Sequence, residues 1–96
     1  MRTAARIDSN QRAIARALRR AGCMVLSLAS VGGGCPDLMV CRTGQIRLLE
    51  IKDGAKPPSK RKLTPHQAQF HQDWPVQVVT NEFEALAAVG LAGGHC

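Results

Sequence analysis

Aromatic side chains are scarce in this sequence. They make up 3% of its 96 residues, with two Phe, one Trp and no Tyr. The interior must therefore be built mainly from Val, Leu, Ile, Ala and Met. Proteins that hold single-stranded nucleic acid commonly stack its bases on aromatic rings. The composition therefore argues against a single-strand-binding module.

Long apolar runs and paired cysteines are also missing. No stretch approaches the roughly 20 apolar residues of a membrane span, and the Arg-rich N-terminus lacks the apolar run of a secretory signal. We therefore expect a cytoplasmic protein with no membrane partner. The four cysteines show no CxxC spacing, which does not favour a zinc site. Cys23 and Cys41 are predicted to be small buried residues, while Cys35 is either another buried thiol or a reactive one.

Acidic residues are outnumbered by basic ones. Seven Asp and Glu stand against thirteen Lys and Arg, which gives a net charge of +6. Such a balance favours a polyanionic partner, although it does not specify a fold. The length predicts one domain over residues 1–90 and a flexible tail over residues 91–96. A core of this size is marginal, so subunit association would help to stabilise it.

A basic amphipathic helix is predicted over residues 9–21. Apolar residues recur there with helical spacing, and the pattern stops at Gly22, a residue suited to a helix C-terminus. The predicted apolar face consists of Ile7, Ile14, Ala17, Leu18 and Ala21, and the opposite face consists of Arg12, Arg16, Arg19 and Arg20.

The rest of the chain alternates between strands and helices. Apolar runs predict strands at residues 23–28, 37–41, 46–51 and 76–79, and capping patterns predict helices at residues 65–73 and 81–89. Residues 53–62 are polar and basic and should form a loop. The order α-β-β-β-α-β-α predicts an α/β fold in which a mixed sheet of about four strands is flanked by helices.

Two carboxylates and an ammonium are expected to meet at the end of a hairpin. The Thr43-Gly44 turn joins the second and third strands, so Asp37 and Glu50 should be neighbours, with Lys52 close by. An acidic pair can hold a hard divalent cation, and a lysine can orient a water or steady a phosphate. The alternative is an ordinary strand start and a solvated strand face. However, the third strand is apolar on both faces, so a charge at its end would need partners, which a metal site supplies.

These residues carry a family resemblance. The segment GGGCPDLMVCRTGQIRLLEIKDG resembles the PD-(D/E)xK nuclease motif, with Pro36-Asp37 as its first half and Glu50-Ile51-Lys52 as its second. The triple glycine, the basic loop, and the run from Lys62 through Thr64-Pro65-His66-Gln67 to Trp74 are similar to the VRR-NUC branch. Small free-standing members occur in phages and bacteria. The domain is also the nuclease part of a eukaryotic enzyme that repairs interstrand crosslinks.

The resemblance implies a restriction-endonuclease-like core and DNA hydrolysis with Mg²⁺ or Mn²⁺, with no organic cofactor. It implies that Asp37, Glu50 and the backbone carbonyl of Ile51 bind the metal. Lys52 would position or activate the attacking water and offset charge on the phosphate. Hydrolysis by the family pattern leaves a 5′-phosphate and a 3′-hydroxyl.

Two glutamines have alternative interpretations. Gln11 stands where archaeal Holliday-junction resolvases have a helical Glu, so it is a candidate catalytic residue that could ligate a metal or hold a water without adding negative charge. It could equally close a capping box with Asp8. Gln67 could point into the site, but its place three residues after Thr64 favours capping.

Other polar residues are assigned to DNA binding or to ordinary structural roles. His66 and His71 are predicted to be solvated, since no third metal ligand has matching spacing, and Trp74 is predicted to anchor the core. The arginines of the first helix could be only a solvated face. The candidate DNA-binding residues, through backbone approach or phosphate contact, are Gly33, Gly34, Lys56, Lys60, Arg61 and Lys62.

The resulting hypothesis is a metal-dependent, structure-selective DNA endonuclease of bacterial or phage origin. By resemblance to Holliday-junction resolvases, we expect a homodimer that cuts branched DNA during repair, inside a bacterial or phage-infected cell. Two alternatives remain: a flap or general DNA nuclease, and a catalytically silent DNA-binding module with the same fold.

Overall fold

The computed structural model describes residues 9–91, apart from the side chain of Ser9. It contains three α-helices, four strands and a short 3₁₀ turn at Pro58–Lys60, which interrupts the predicted loop. In chain order the elements are α1 (Ser9–Arg20), β1 (Met24–Ser27), β2 (Leu38–Arg42), β3 (Gln45–Ile51), α2 (Pro65–Asp73), β4 (Val76–Val79) and α3 (Glu82–Ala88). This order and the α/β class are as predicted.

Helix α1 has the predicted amphipathic character. Ile14 and Leu18 are fully buried, whereas its four arginines are exposed. The helix stops at Gly22, whose φ of +93° is in the left-handed region that glycine tolerates. The N–H of Cys23 then donates to the Leu18 carbonyl at 3.0 Å, which closes the helix end. Ile7, part of the predicted apolar face, lies outside the described residues.

The four strands form one mixed sheet in the order β1-β2-β3-β4. Strands β1, β2 and β3 are antiparallel neighbours, and β4 is parallel to β3. The turn between β2 and β3 consists of Thr43 and Gly44, with φ values of +49° and +81°. Two consecutive positive φ angles are characteristic of the tight hairpin turn that the sequence predicts. The parallel β3–β4 pair requires a crossover, which contains α2.

One face of the sheet carries the core. Because side chains alternate between the faces of a strand, Leu38, Val40, Leu49 and Val79 all point to the same side. There they pack against Ile14 and Leu18 of α1 and against Ala85 and Val89 of α3. Helices α1 and α3 therefore cover this face.

The opposite face, which we call the outer sheet face, is apolar and largely open. Its side chains include Met24, Leu26, Ile46 and Val78, which are 73%, 62%, 59% and 46% exposed. Glu50 lies on the same face, because the register pairs it with Val78. No described helix is both long enough and apolar enough to cross a membrane.

The end of the chain differs from expectation in two details. Asn81 caps α3 by accepting from the Glu84 N–H at 2.8 Å, as predicted. Glu84 does not complete the capping box, because its Oε1 accepts instead from the N–H and hydroxyl of Thr80. Leu91, assigned to the flexible tail, packs against the core and donates its N–H to Leu86. Residues 92–96 of the predicted tail lie outside the described residues.

Two burial predictions are wrong. Trp74 does not anchor the core: it is 53% exposed and stacks on Phe70 with ring centroids 5.4 Å apart. The reason is that it ends α2, a helix with no buried residue. Cys23 is buried as expected, but Cys41 is only half-buried, because its place in β2 directs it to the open outer sheet face.

Candidate metal-binding site

Asp37 and Glu50 meet where the β2–β3 hairpin ends. The N–H of Asp37 donates to the Leu49 carbonyl at 3.0 Å, which extends the ladder one residue beyond β2. Because Leu38 pairs with Leu49, Asp37 falls opposite Glu50, on the same face of the sheet. The structure therefore brings together the two carboxylates that the sequence pattern selects.

Glu50 is buried, and its charge is disfavoured. The residue is 2% exposed. Burial raises the pKa of its carboxyl to about 8, with further contributions from the charge of Asp37 and from a hydrogen bond to the Asp37 side chain, while Lys52 acts in the opposite direction. Two acceptor groups can share a hydrogen bond only if one of them carries a proton. Without a cation, Glu50 is therefore held largely as the neutral acid near neutral pH.

One oxygen of Glu50 fits a cation. Its Oε2 accepts from Gln67, but its Oε1 is buried and has no hydrogen-bond donor among the described residues. An unsatisfied buried carboxylate oxygen is costly, and a divalent cation satisfies such an oxygen directly. No three His, Cys, Asp or Glu side chains within residues 9–91 form a metal-binding group. A metal here must therefore also use backbone oxygen or water.

The Ile51 peptide offers such an oxygen. The Ile51 N–H donates to Asp37 Oδ2 at 2.7 Å, so this edge of β3 faces Asp37. The next N–H, from Lys52, donates to Val79 on β4. Because the N–H and C=O of a trans peptide point in opposite directions, the Ile51 carbonyl points away from β4, toward the Asp37 side. Asp37, Glu50 and the Ile51 carbonyl thus share one location.

Lys52 is fixed beside the carboxylates by Gln67. Its Nζ donates to Gln67 Oε1 at 3.0 Å and lies 3.8 Å from Glu50 Oε2. Gln67 also donates from Nε2 to Glu50 at 3.2 Å and accepts from the Thr64 N–H at 2.9 Å. Capping and a place in the site were alternatives for Gln67 in the sequence, and the structure shows both. The capping hydrogen bonds with Thr64 orient the Gln67 side-chain amide toward Glu50 and Lys52.

One comparison with known proteins finds a similar structure. Neither a family model nor a curated protein matches the chain. A solved structure described as a VRR_NUC domain does match, with 28% sequence identity and a TM-score of 0.59, over 78% of this chain and 84% of that one. The fold of this chain is thus similar to that of a VRR_NUC domain, as expected. The match supports a nuclease-domain family.

Gln11 is buried, with 6% of its surface exposed. Its Nε2 donates to the Ser27 hydroxyl on β1 at 3.4 Å. Asp8, its alternative capping partner, lies outside the described residues.

Asn10, which the sequence patterns did not select, joins α1 to the end of β3. Its Nδ2 donates to the carbonyls of Lys52 and Thr80, at 3.2 and 3.3 Å. These contacts tie the residue that follows β3 to the residue that follows β4, beside the candidate site. An asparagine near a helix start is ordinarily interpreted as a cap, so sequence spacing gave no signal for this role.

Gly34 is explained by close packing rather than by flexibility. Its φ is +83°, and a Cβ at this position would lie 2.4 Å from the His66 carbonyl oxygen at the start of α2. The glycine thus lets the loop before Asp37 touch the helix that carries Gln67. Gly33 has a φ of +65° and no neighbour within 4 Å of a Cβ, so it has free space around it.

The basic loop is mostly accessible. Lys56, Lys60 and Lys62 are exposed, whereas Arg61 is half-buried. The Nε of Arg61 is enclosed and has no hydrogen-bond partner within the described part of the chain. The three lysines are therefore accessible to a ligand, whereas the Arg61 side chain is partly buried.

Burial shifts the pKa of two further side chains near the site, His71 and Cys35, in the direction that favours their uncharged forms. His66 is exposed as expected, but the prediction that His71 is solvated is wrong. His71 is half-buried, and burial, followed by the charge of Lys52, lowers its pKa. Burial raises the pKa of the Cys35 thiol, and the carboxylates of Glu50 and Asp37 raise it further. The raised pKa favours the thiol over the thiolate, which is the reactive form, and so supports the unreactive interpretation of Cys35.

Proposed function

We propose that this protein is a metal-dependent, structure-selective DNA endonuclease that acts on branched DNA as a homodimer. The observation that carries the proposal is Glu50: a buried carboxylate oxygen with no donor among residues 9–91, beside Asp37 and the Lys52 ammonium. A protein that used these residues only for stability would be expected to satisfy that oxygen. The similarity to a VRR_NUC domain supports the same reaction class.

The metal would be Mg²⁺ or Mn²⁺, held by Asp37, Glu50 and the Ile51 carbonyl. All three donors are oxygens, which suits hard divalent cations. When bound, such a cation supplies Lewis acidity toward the phosphate and lowers the pKa of water. Binding also compensates the two adjacent carboxylates, since burial and then the charge of Asp37 otherwise raise the pKa of Glu50.

Lys52 acts on the water and the phosphate. Its Nζ is restrained by Gln67 and Glu50, and an ammonium has three donors. The remaining donors can orient an attacking water and neutralise charge on the scissile phosphate. Hydrolysis with this arrangement leaves a 5′-phosphate and a 3′-hydroxyl, in keeping with the family pattern.

The basic loop provides a grip on the DNA backbone. Its exposed lysines, Lys56, Lys60 and Lys62, follow directly on Lys52 in the chain. Contacts of lysine with phosphate position the substrate without reading its sequence and weaken as salt rises. This favours recognition of DNA shape rather than of a base sequence.

The outer sheet face supports the homodimer. Met24, Leu26, Ile46 and Val78 form an exposed apolar surface on one side of the sheet. Large apolar patches mark association surfaces, and a second copy would bury them. A twofold dimer places two sites in symmetric positions, which suits cleavage of two strands of a four-way junction. Glu50 lies on this same face, so the two sites would flank the interface.

The proposal is tested with labelled four-way, flapped and linear DNA, together with the molar mass in solution. We expect Mg²⁺- or Mn²⁺-dependent cleavage, fastest on the four-way junction, and a dimer. Cleavage of linear duplex as fast as the junction would favour a general nuclease, and preference for the flap would favour a flap nuclease. A protein that binds DNA but cuts none of these substrates with either Mg²⁺ or Mn²⁺ would be the catalytically silent module. Lys52→Ala and Asp37→Asn should abolish cleavage and keep the fold, with Lys56→Ala as the matched lysine control.

A further inference from the structure

A basic groove lies between α1 and the edge of the sheet, distinct from the loop at residues 56–62. It encloses about 620 Å³. Its wall carries Arg12, Arg16, Arg19 and Arg20, and its floor includes Ala15 and Leu38. The guanidinium-bearing residues are exposed, while the two floor residues are buried. We call this cavity the arginine groove.

The charges of the arginine groove are arranged in a row. Arg12, Arg16 and Arg20 are separated by four residues, so they lie on one side of α1 with about 6 Å between successive positions along the helix axis. No Asp or Glu occurs anywhere in residues 9–36. Within the described residues, α1 and β1 therefore carry no acidic side chain.

Another arginine of the groove, outside the row, is fixed in place. Arg19 Nη2 donates to the Val25 carbonyl on β1 at 3.2 Å. This contact pins the side chain against the edge strand and leaves its positive charge in place, since a carbonyl is neutral. A fixed guanidinium loses less conformational freedom when it binds an anion.

The groove leads toward the candidate metal site. Leu38 of its floor follows Asp37 directly in the chain, and the Asp37 carbonyl accepts from the Leu28 N–H, one residue beyond β1, at 2.8 Å. The polar end of the groove is formed by Gln11 and Ser27, which are hydrogen-bonded to each other. The groove therefore ends beside the start of β2, where the Asp37 and Glu50 side chains lie on the other face of the sheet.

We propose that the arginine groove binds the sugar–phosphate backbone of one DNA strand next to the cleavage site. An evenly spaced row of guanidinium groups fits a polymer with regularly repeated phosphates, which arginine binds through two parallel hydrogen bonds. An acidic peptide lacks that regular repeat. This inference rests on DNA being the substrate, as in the proposed function. It adds a second contact with the DNA backbone. The arginines of this contact precede Asp37 in the sequence, whereas the basic loop follows it.

The test is the salt dependence of DNA binding, measured by fluorescence anisotropy in Asp37→Asn protein without divalent cations. Arg16→Gln and Arg20→Gln remove one exposed charge each and keep much of the side chain. Arg47→Gln removes the same charge outside the groove lining and is the matched control. Each groove variant should weaken binding and reduce the slope of log K against log salt by about 1, whereas the control should leave the slope unchanged.

Several outcomes overturn the inference. Unchanged slopes in both groove variants exclude phosphate contacts there, and an equal fall in Arg47→Gln shows only an effect of net charge. Tighter binding of a polyglutamate peptide than of DNA, lost in the groove variants, assigns the groove to an acidic protein instead. Cleavage by the wild type is measured in parallel. If the groove variants have reduced salt slopes but the wild type cuts no DNA, the groove binds DNA and the nuclease proposal is refuted. If the wild type cuts DNA and the slopes are unchanged, only the inference about the groove is refuted.

Discussion

Gln67 of α2 donates a hydrogen bond to Glu50 of β3 across 3.2 Å, and so links a helix cap to the most buried carboxylate of the site. The same amide accepts from Lys52 and from the Thr64 N–H. The position of α2 and the position of the site side chains therefore depend on one residue.

We expect Gln67→Ala to lower cleavage about ten- to hundredfold, the usual cost of removing a group that orients a metal ligand. It should also cost about 1 kcal/mol of stability through the lost cap. Thr64→Ala separates the two effects, because it removes the hydroxyl cap and leaves both contacts of Gln67 with the site. Gln69→Ala, on the exposed side of α2, is the neutral control. Equal loss of cleavage in Thr64→Ala and Gln67→Ala would show that only capping matters.

Glu50→Gln should stabilise the metal-free protein, increasingly as the pH rises. The folded-state pKa of Glu50, about 8, is above its ordinary value of 4.5. Folding is therefore favoured by the protonated form, and the wild type loses stability as the pH rises from about 4.5 to 8. The glutamine cannot ionise and escapes that loss. Thermal unfolding at pH 5 and pH 9, with EDTA and with Glu82→Gln as the exposed control, measures the difference. A constant difference between the two pH values would contradict a raised pKa.

Binding of Mg²⁺ should weaken about tenfold for each pH unit below the Glu50 pKa of about 8. The cation requires the ionised carboxylate, so it must displace the proton that burial and Asp37 hold on Glu50. Titration calorimetry at pH 7 in buffers of different ionisation enthalpy should show release of close to one proton per ion. Affinity independent of pH between 6 and 8 would place the metal elsewhere.

Leu26→Glu should convert the proposed dimer to a monomer. Leu26 is 62% exposed on the outer sheet face, and a charge there would be trapped in an apolar interface. Phe83→Glu is a matched control, since Phe83 on α3 is also 62% exposed. Light scattering should give twice the chain mass of 10.3 kDa for the wild type and Phe83→Glu, and the single mass for Leu26→Glu. A dimeric Leu26→Glu protein would exclude this face.

Gly34→Ala should destabilise the protein more than Gly33→Ala. Both glycines have positive φ, which alone costs a non-glycine residue about 1–2 kcal/mol. Only at Gly34 would the added Cβ also collide with the His66 backbone and displace the start of α2. Urea unfolding compares the two variants, and cleavage should fall only in Gly34→Ala, because Gln67 moves with the helix. Equal unfolding free energies would show that the loop can shift away without cost.

Local chemistry made much of the fold predictable. The Thr43-Gly44 turn fixed the hairpin register, and that register alone placed Asp37 opposite Glu50. Thr64 and Pro65 marked the start of α2, and Gly22 marked the end of α1. These signals act within a few residues, through backbone geometry and capping. They can therefore be recognised in a single sequence.

Contacts between segments that are far apart in the sequence could not be predicted in the same way. Trp74 was expected in the core, yet it follows α2, a helix with no buried residue, and is 53% exposed. Gly34 was interpreted as flexible or as a point of DNA approach, although its neighbour is a helix thirty-two residues later. Asn10 gave no signal, since both of its acceptors are backbone carbonyls more than forty residues away.

The sequence by itself therefore determined the order of elements, the hairpin and the acidic pair with its lysine, because spacing and turn chemistry are local. Only the tertiary structure decided that Glu50 is buried with an unsatisfied oxygen, that Gln67 serves both cap and site, and that one face of the sheet stays apolar and open. Burial and hydrogen-bond satisfaction depend on which segments pack together, and that is settled by the whole chain at once.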